Sequence, residues 1–144
     1  MLAVDVNVLV SAFHAGAPDH DAMRRWVEDA VDAPEPLGIS DAVLIGVARV
    51  LTHPRVFSPP ASLDDAWTRI GSLAAAEGTA RLTPGPRHLQ IVERLCRGAD
   101  ARGNLVADAQ HAAVAIEHGA TWISKDRDFA RFPELRWRHP SDAG

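Results

Sequence analysis

Four short apolar runs, "LAVD" at 2–5, "LGIS" at 37–40, "TARL" at 79–82 and "ATWIS" at 120–124, alternate with stretches whose apolar side chains recur at helical spacing. Strands this short are too small to make a core by themselves and must be covered by the helices between them, which predicts a three-layer α/β/α fold around a mostly parallel sheet. Helical segments are expected near 7–14 and from Asp19, where Ala22, Met23, Trp26, Val27 and Ala30 form a stripe. Another is expected behind the cap Ser40, ending at Pro54, and another behind the S-x-x-D capping box Ser62 to Asp65, stopped by Gly78. The stripe Ile91, Val92 and Leu95 predicts a helix ended by Gly98. "NLVADAQHAAVAIEHG" predicts the clearest helix of all, with Gly119 at its left-handed cap. "LRWRH" reads as a last edge strand. The 144 residues fit one domain over 1–140 and a disordered tail over 141–144.

A formal charge of −4 argues against a protein that coats nucleic acid by bulk electrostatics, but not against a nuclease that gathers carboxylates around metal. All but one of the basic side chains are arginine, whose planar fork suits phosphate. Cys96 is the single cysteine, so it forms no internal disulfide, and a reducing, cytoplasmic setting is expected. The small-residue run "HAGA" mimics a signal-peptidase site, but no basic region precedes it and Asp5 and Asn7 interrupt the apolar run. No apolar segment approaches the roughly 20 residues that span a bilayer.

In open parallel sheets, ligands bind beyond the carboxyl ends of the strands, and the acids of this chain fall there. Asp5 closes the first strand, Asp41 follows "LGIS", and Asp126 and Asp128 follow "TWIS". Asp108 lies on the helix leading into that last strand, inside the apolar context "LVADAQHAA". Singly, some have structural explanations: Asp41 meets a helix macrodipole, Asn104 is placed to cap its helix, and Asp126 or Asp128 serves a turn. Asp5 and Asp108 resist such explanations because each interrupts a core-facing run. Carboxylates converging in a partly dry cleft repel one another and take up protons unless a cation neutralises them. An all-oxygen ligand set suits Mg²⁺ or Mn²⁺ and implies metal-assisted phosphodiester hydrolysis. His111 and His118 form no H-x-x-x-H pair and are read as surface residues. No G-x-S-x-G elbow supports a serine hydrolase.

Three segments, "MLAVDVNVLVSAF", "GISDAVLIGVARVLTHPRVF" and "GNLVADAQHAAVAIEHGATWISKDRDFARFPELRW", together resemble the PIN-domain ribonuclease toxins of bacterial VapBC toxin–antitoxin pairs. The resemblance spans nearly the whole chain with the motifs in order. It implies a PIN-like fold and a Mg²⁺-dependent endoribonuclease that cuts structured RNA, commonly tRNA or rRNA, and halts translation. A VapB-like antitoxin that masks the cleft, promoter DNA bound only through that antitoxin, and a homodimer are implied as well. By residue, the resemblance assigns catalysis to Asp5, Asp41, Asp108 and Asp126, with Asp5, Asp108 and Asp126 on the metal. Asn7, Asn104, Ser124 and Asp128 support them.

Two positions depart from the pattern. The second acid of similar toxins is usually glutamate; Asp41 is one methylene shorter, so its carboxylate is expected to reach a metal, or a second ion, through water. Lys125 inside "SKDRD" is read as a solvated turn residue, with phosphate contact as the alternative. Two rival functions remain open on sequence. One is a haloacid-dehalogenase-like phosphatase with Asp5 as nucleophile, weakened because Asn7 stands where a second aspartate is needed. The other is a catalytically inactive PIN-like binding module.

Overall fold

A computed structural model describes residues 1–142, so the last two residues of the tail expected at 141–144 lie outside the described ones. The four apolar runs form β1 (Leu2–Val4), β2 (Leu37–Ser40), β3 (Thr79–Leu82) and β4 (Thr121–Ile123), and a two-residue β5 (Trp137–Arg138) lies where "LRWRH" places an edge strand. They make one sheet in the order β3-β2-β1-β4-β5, and every pairing is parallel.

Between the strands run α1 (Val6–Phe13), α2 (His20–Asp32), α3 (Asp41–Leu51), α4 (Leu63–Ala75), α5 (His88–Ala99) and α6 (Asn104–Glu117). α1 packs on α2 and α3, and α3 packs on α4, while α5 and α6 pack on each other, giving the helix layers of the expected three-layer fold. The core is aliphatic where helices meet the sheet: Val4, Val8, Leu9, Val43 and Val47 are fully enclosed. Along α6 the enclosed side chains are small, Ala109, Ala112, Ala113 and Ala115, so this helix can lie close to its neighbours. No helix among the described residues is long and apolar enough to cross a membrane.

Helix ends agree with the sequence where a side chain does the capping. Ser40 Oγ accepts the Val43 N–H at 3.2 Å, and Ser62 Oγ accepts the Asp65 N–H at 3.1 Å. Gly119 takes the left-handed conformation at φ 63° behind α6. Two glycines do other work than expected. α4 already ends at Ala75, and Gly78 is small because the Val31 carbonyl of α2 would lie 1.8 Å from any Cβ there. α5 runs through Gly98 to Ala99, and it is Asp100, at φ 49°, that turns the chain out of the helix. α6 begins at Asn104 with Gly103, at φ 58°, in the cap position, so Asn104 is not the cap.

The strand order fixes where a site can form. From β1 the chain moves outward through β2 to β3, then crosses back to place β4 on the other flank of β1. Connections therefore leave the carboxyl ends of β1 and β4 in opposite directions, opening a crevice between them.

Candidate metal centre

Asp5 stands at the mouth of that crevice. Its N–H continues the ladder to the Ile123 carbonyl at 3.0 Å, and its side chain caps α1, Oδ1 accepting the Val6 N–H at 2.7 Å. The carboxylate is buried, only 6 % exposed, and its second oxygen accepts the Ser124 hydroxyl at 2.6 Å. Burial raises the Asp5 pKa and Asp126 adds to it, while the Ser124 bond, His111 and the Val6 N–H oppose the rise.

Ser124, fully buried just beyond β4, organises the floor of the site. Its Oγ donates to Asp5 and accepts from Asn7 Nδ2 at 3.1 Å and from the Asp126 N–H at 3.0 Å, which uses the whole capacity of a hydroxyl. Asn7 Oδ1 in turn accepts the Lys125 N–H at 3.2 Å, so the ends of β1 and β4 are tied by side chain as well as by ladder. Lys125 is not a solvated turn residue. Its Nζ donates to Ser11 Oγ at 2.6 Å and to Asp19 Oδ2 at 2.9 Å, bolting the β4 turn to α1 and the start of α2. Burial of Asp19 acts upward on its pKa, but the bonds from Lys125 and Ser11 outweigh it and lower the value.

Asp126 and Asp128 share a tight turn in which Asp126 Oδ1 accepts the Asp128 N–H at 2.9 Å. From the facing helix α6, Asp108 reaches the same space, and one oxygen from each of Asp108, Asp126 and Asp128 lies within 4.8 Å of the others. Partial burial, then the charges of Asp126, Asp5 and Asp128, push the Asp108 pKa up to about 6. Three converging carboxylate oxygens that form no ion pair among the described residues, beside the buried carboxylate of Asp5, fit a hard divalent cation such as Mg²⁺ or Mn²⁺. The whole lies in a cleft of about 860 Å³ to which Asp5, Asn7, Asn104, Asp108, Asp126 and Asp128 all contribute.

Asp41 does not join them. As the first residue of α3 it points outward, its side chain 66 % exposed, and its carboxylate pairs with Arg81 Nε of β3. It borders a separate cavity of about 120 Å³ with Ser40 and Leu82 and does not line the cleft, so the expectation that Asp41 gathers with the other acids is corrected. α3 gives the cleft Arg49 and Val50 instead, and its Gly46 lies against Val6, where a Cβ would come within 2.8 Å of a Val6 methyl carbon.

His111, expected at the surface, is half-buried and borders both cavities. It stacks on Trp122 with ring centroids 5.7 Å apart, and burial lowers its pKa against the pull of Asp5. The signal available in sequence was its place three residues after Asp108, on the same helix face. His118 is exposed as expected, with Nε2 2.8 Å from the Thr83 carbonyl.

Residues 2–135 match the PIN domain family. Ribonuclease VapC43 of Mycobacterium tuberculosis (strain ATCC 25618 / H37Rv) is 50 % identical over 142 residues, covering 99 % of this chain and 97 % of that protein. Ribonuclease VapC25 of the same strain is 36 % identical over 140 residues, covering 97 % of this chain and 99 % of the relative. Among solved structures, VapBC2 from Rickettsia felis, bound to a DNA fragment from its promoter, superposes with a TM-score of 0.72 at 17 % identity, covering 96 % of this chain and 97 % of the other. The family match over 2–135, the full-length identity and the fold agree: this chain belongs to the PIN-domain family and, within it, to the VapC ribonucleases of VapBC toxin–antitoxin systems.

Proposed function

We propose that this protein is the toxin of a type II toxin–antitoxin pair, a Mg²⁺-dependent endoribonuclease that cuts structured RNA, either tRNA or rRNA, and so stops translation. The observation that carries the reading is the meeting of the Asp108, Asp126 and Asp128 oxygens beside buried Asp5, in a chain half identical to a VapC ribonuclease.

When bound there, a divalent ion would supply Lewis-acid polarisation of the scissile phosphate and a more acidic water. Asp5, Asp108 and Asp126 would hold it, and Asp128 would join them, a reading supported by its oxygen lying within 4.8 Å of those of Asp108 and Asp126. Asp126, its backbone pinned by Ser124, is placed to complete the ligand set or orient the attacking water. Ser124 and Asn7 hold Asp5 and the β4 turn in register so that the acids stay assembled without substrate. Asn104, exposed at the start of α6 on the cleft wall, is placed to meet substrate or water. Water attacking phosphorus leaves a 5′-phosphate and a 3′-hydroxyl.

The partner is a VapB-like antitoxin that covers the cleft, with promoter DNA engaged through it; the toxin acts in the cytoplasm as a homodimer. The domain occupies 1–140. A phosphatase with Asp5 as nucleophile is disfavoured because both Asp5 oxygens already accept hydrogen bonds and the chain belongs to the PIN family.

The test is to map RNA ends after brief induction and to repeat the cleavage with purified protein. New 5′-phosphate ends, formed with Mg²⁺ and abolished by EDTA, are expected. Cleavage unaffected by EDTA, or a phospho-aspartate trapped at Asp5, overturns the assignment.

A further inference from the structure

Five carboxylates line the cleft, those of Asp5, Asp19, Asp108, Asp126 and Asp128, against two permanent cations, Arg49 and Lys125. The two cations are in different states. Lys125 Nζ is already committed to Ser11 and Asp19. Arg49, near the end of α3, is exposed and, among the described residues, forms no ion pair. Its neighbours on the same wall, Val50, Val56 and Phe57, are apolar, so no acid of that wall competes for it.

Given the ribonuclease reading above, on which this step rests, a polyanion must enter a strongly acidic cleft. A single divalent ion answers for the phosphate being cut; the phosphates on either side still face uncompensated carboxylates. We infer that Arg49 is a substrate-positioning residue, holding through its guanidinium fork a non-bridging oxygen pair of a phosphate flanking the scissile one, and so choosing the wall along which the RNA strand leaves the metal. The planar fork suits a phosphate bidentately where a lysine would act as a point charge. The side of α3 facing the cleft then supplies substrate contact rather than a metal ligand, consistent with the outward turn of Asp41.

The experiment compares full-length protein, R49A, R49K and R97A, the last removing an exposed arginine of α5 outside the cleft lining. Binding of a fluorescent RNA hairpin is measured from 50 to 300 mM salt in Mg²⁺, each protein carrying Asp5→Asn to prevent cutting. Mn²⁺ affinity is measured without RNA, and KM and kcat are measured on the same proteins with Asp5 intact. R49A is expected to bind RNA about tenfold more weakly at low salt, with the log–log salt slope reduced by about 0.7–0.9 and Mn²⁺ affinity unchanged. KM is expected to rise more than kcat falls, R49K to restore the slope but only part of the affinity, and R97A to match the parent. An unchanged slope in R49A, or an equal loss in R97A, overturns the role of Arg49 while leaving the ribonuclease reading intact. A parent protein that neither binds nor cuts RNA overturns that reading and this one with it.

Discussion

Asp5 and Asp41 each directly follow one of two neighbouring strands, although the register, with Leu2 beside Leu37 and Ala3 beside Gly38, sets Asp5 level with Ser40. β1 ends at Val4 and Asp5 follows; β2 ends at Ser40 and Asp41 follows; each opens a helix. Yet Asp5 is buried against β4 with both oxygens engaged, whereas Asp41 is exposed on an arginine. Two differences account for this. At β1 the acid is itself the N-cap, so its side chain turns back over the strand end; at β2 the cap is Ser40, and the acid, one residue later, is rotated about 100° around the helix. Second, β1 borders the place where strand order reverses, while β2 lies between β1 and β3. The comparison teaches that an acid at a strand end becomes part of a site only when the cap geometry and the topology both aim it at the crevice.

The largest effect expected from breaking this comparison is on cleavage. Asp5→Asn keeps the shape and can still accept from Val6 but removes a charge from the metal centre. Loss of several kcal/mol of transition-state stabilisation should slow RNA cleavage on the order of 10³-fold or more. Asp41→Asn, in the same assay, should stay within about twofold of wild type because its exposed carboxylate pairs with Arg81 outside the cleft lining. Equal losses in the two variants would erase the distinction between the two strand ends.

Asp108 gives a larger effect on stability than on sequence grounds one would grant a single helix residue. Its pKa near 6 exceeds the ordinary 3.8, so between those values the folded protein retains a proton that the unfolded chain has shed. Stability of the metal-free protein therefore falls as pH rises from about 4 to 7, since the native state then binds more protons than the unfolded one. Asp108→Asn should raise the Tm of metal-free protein at pH 7.5 by a few degrees, about 2–4 °C per kcal/mol relieved, and flatten its pH dependence. Mn²⁺ is expected to raise the Tm of wild type, and the same variant should lose most of that increase. Thermal melts in EDTA and in Mn²⁺ at pH 5 and pH 7.5 check both outcomes.

Ser124 sharpens the comparison from the β4 side. Ser124→Ala leaves the buried Asp5 Oδ2 and the part-buried Asn7 Nδ2 and Asp126 N–H without their shared partner. A loss of about 1–3 kcal/mol in urea unfolding is expected. The bond to Ser124 lowers the Asp5 pKa, so removing it should also shift the acid limb of the cleavage–pH profile upward. A purely structural role would lower Tm without moving that limb.

How much of this was legible beforehand follows from which forces each feature depends on. Strands, most helix ends and the acids at the switch point are local or topological, and short apolar runs, capping serines and the strand-end rule reveal them. Asp5 stood out because it interrupts a buried run, and its burial is the reason it does so. Asp41 was misplaced because sequence shows that a residue follows a strand but not which way the first helical residue points. The Lys125 anchor joins positions 106 and 114 residues apart, a pairing that no local pattern contains. His111 reads as a surface residue in sequence because the stacking on Trp122 that helps cover it is a contact made by the fold.

The smallest effect is expected at the other strand end, and it tests the comparison most severely because little should happen. The Asp41–Arg81 pair is exposed on both sides, 66 % and 50 %, so solvent screens it and its contribution is on the order of 0–1 kcal/mol. Arg81→Ala should therefore barely move the urea midpoint. It also releases Asp41, whose charge lies beside Ser40 in the small cavity that shares His111 with the cleft. If freeing that carboxylate leaves cleavage and Mn²⁺ affinity unchanged, the β2 end is electrostatically separate from the metal centre. A rise in Mn²⁺ affinity in Arg81→Ala, lost again in the double variant with Asp41→Asn, would show instead that Arg81 holds back a fifth carboxylate that the centre can recruit.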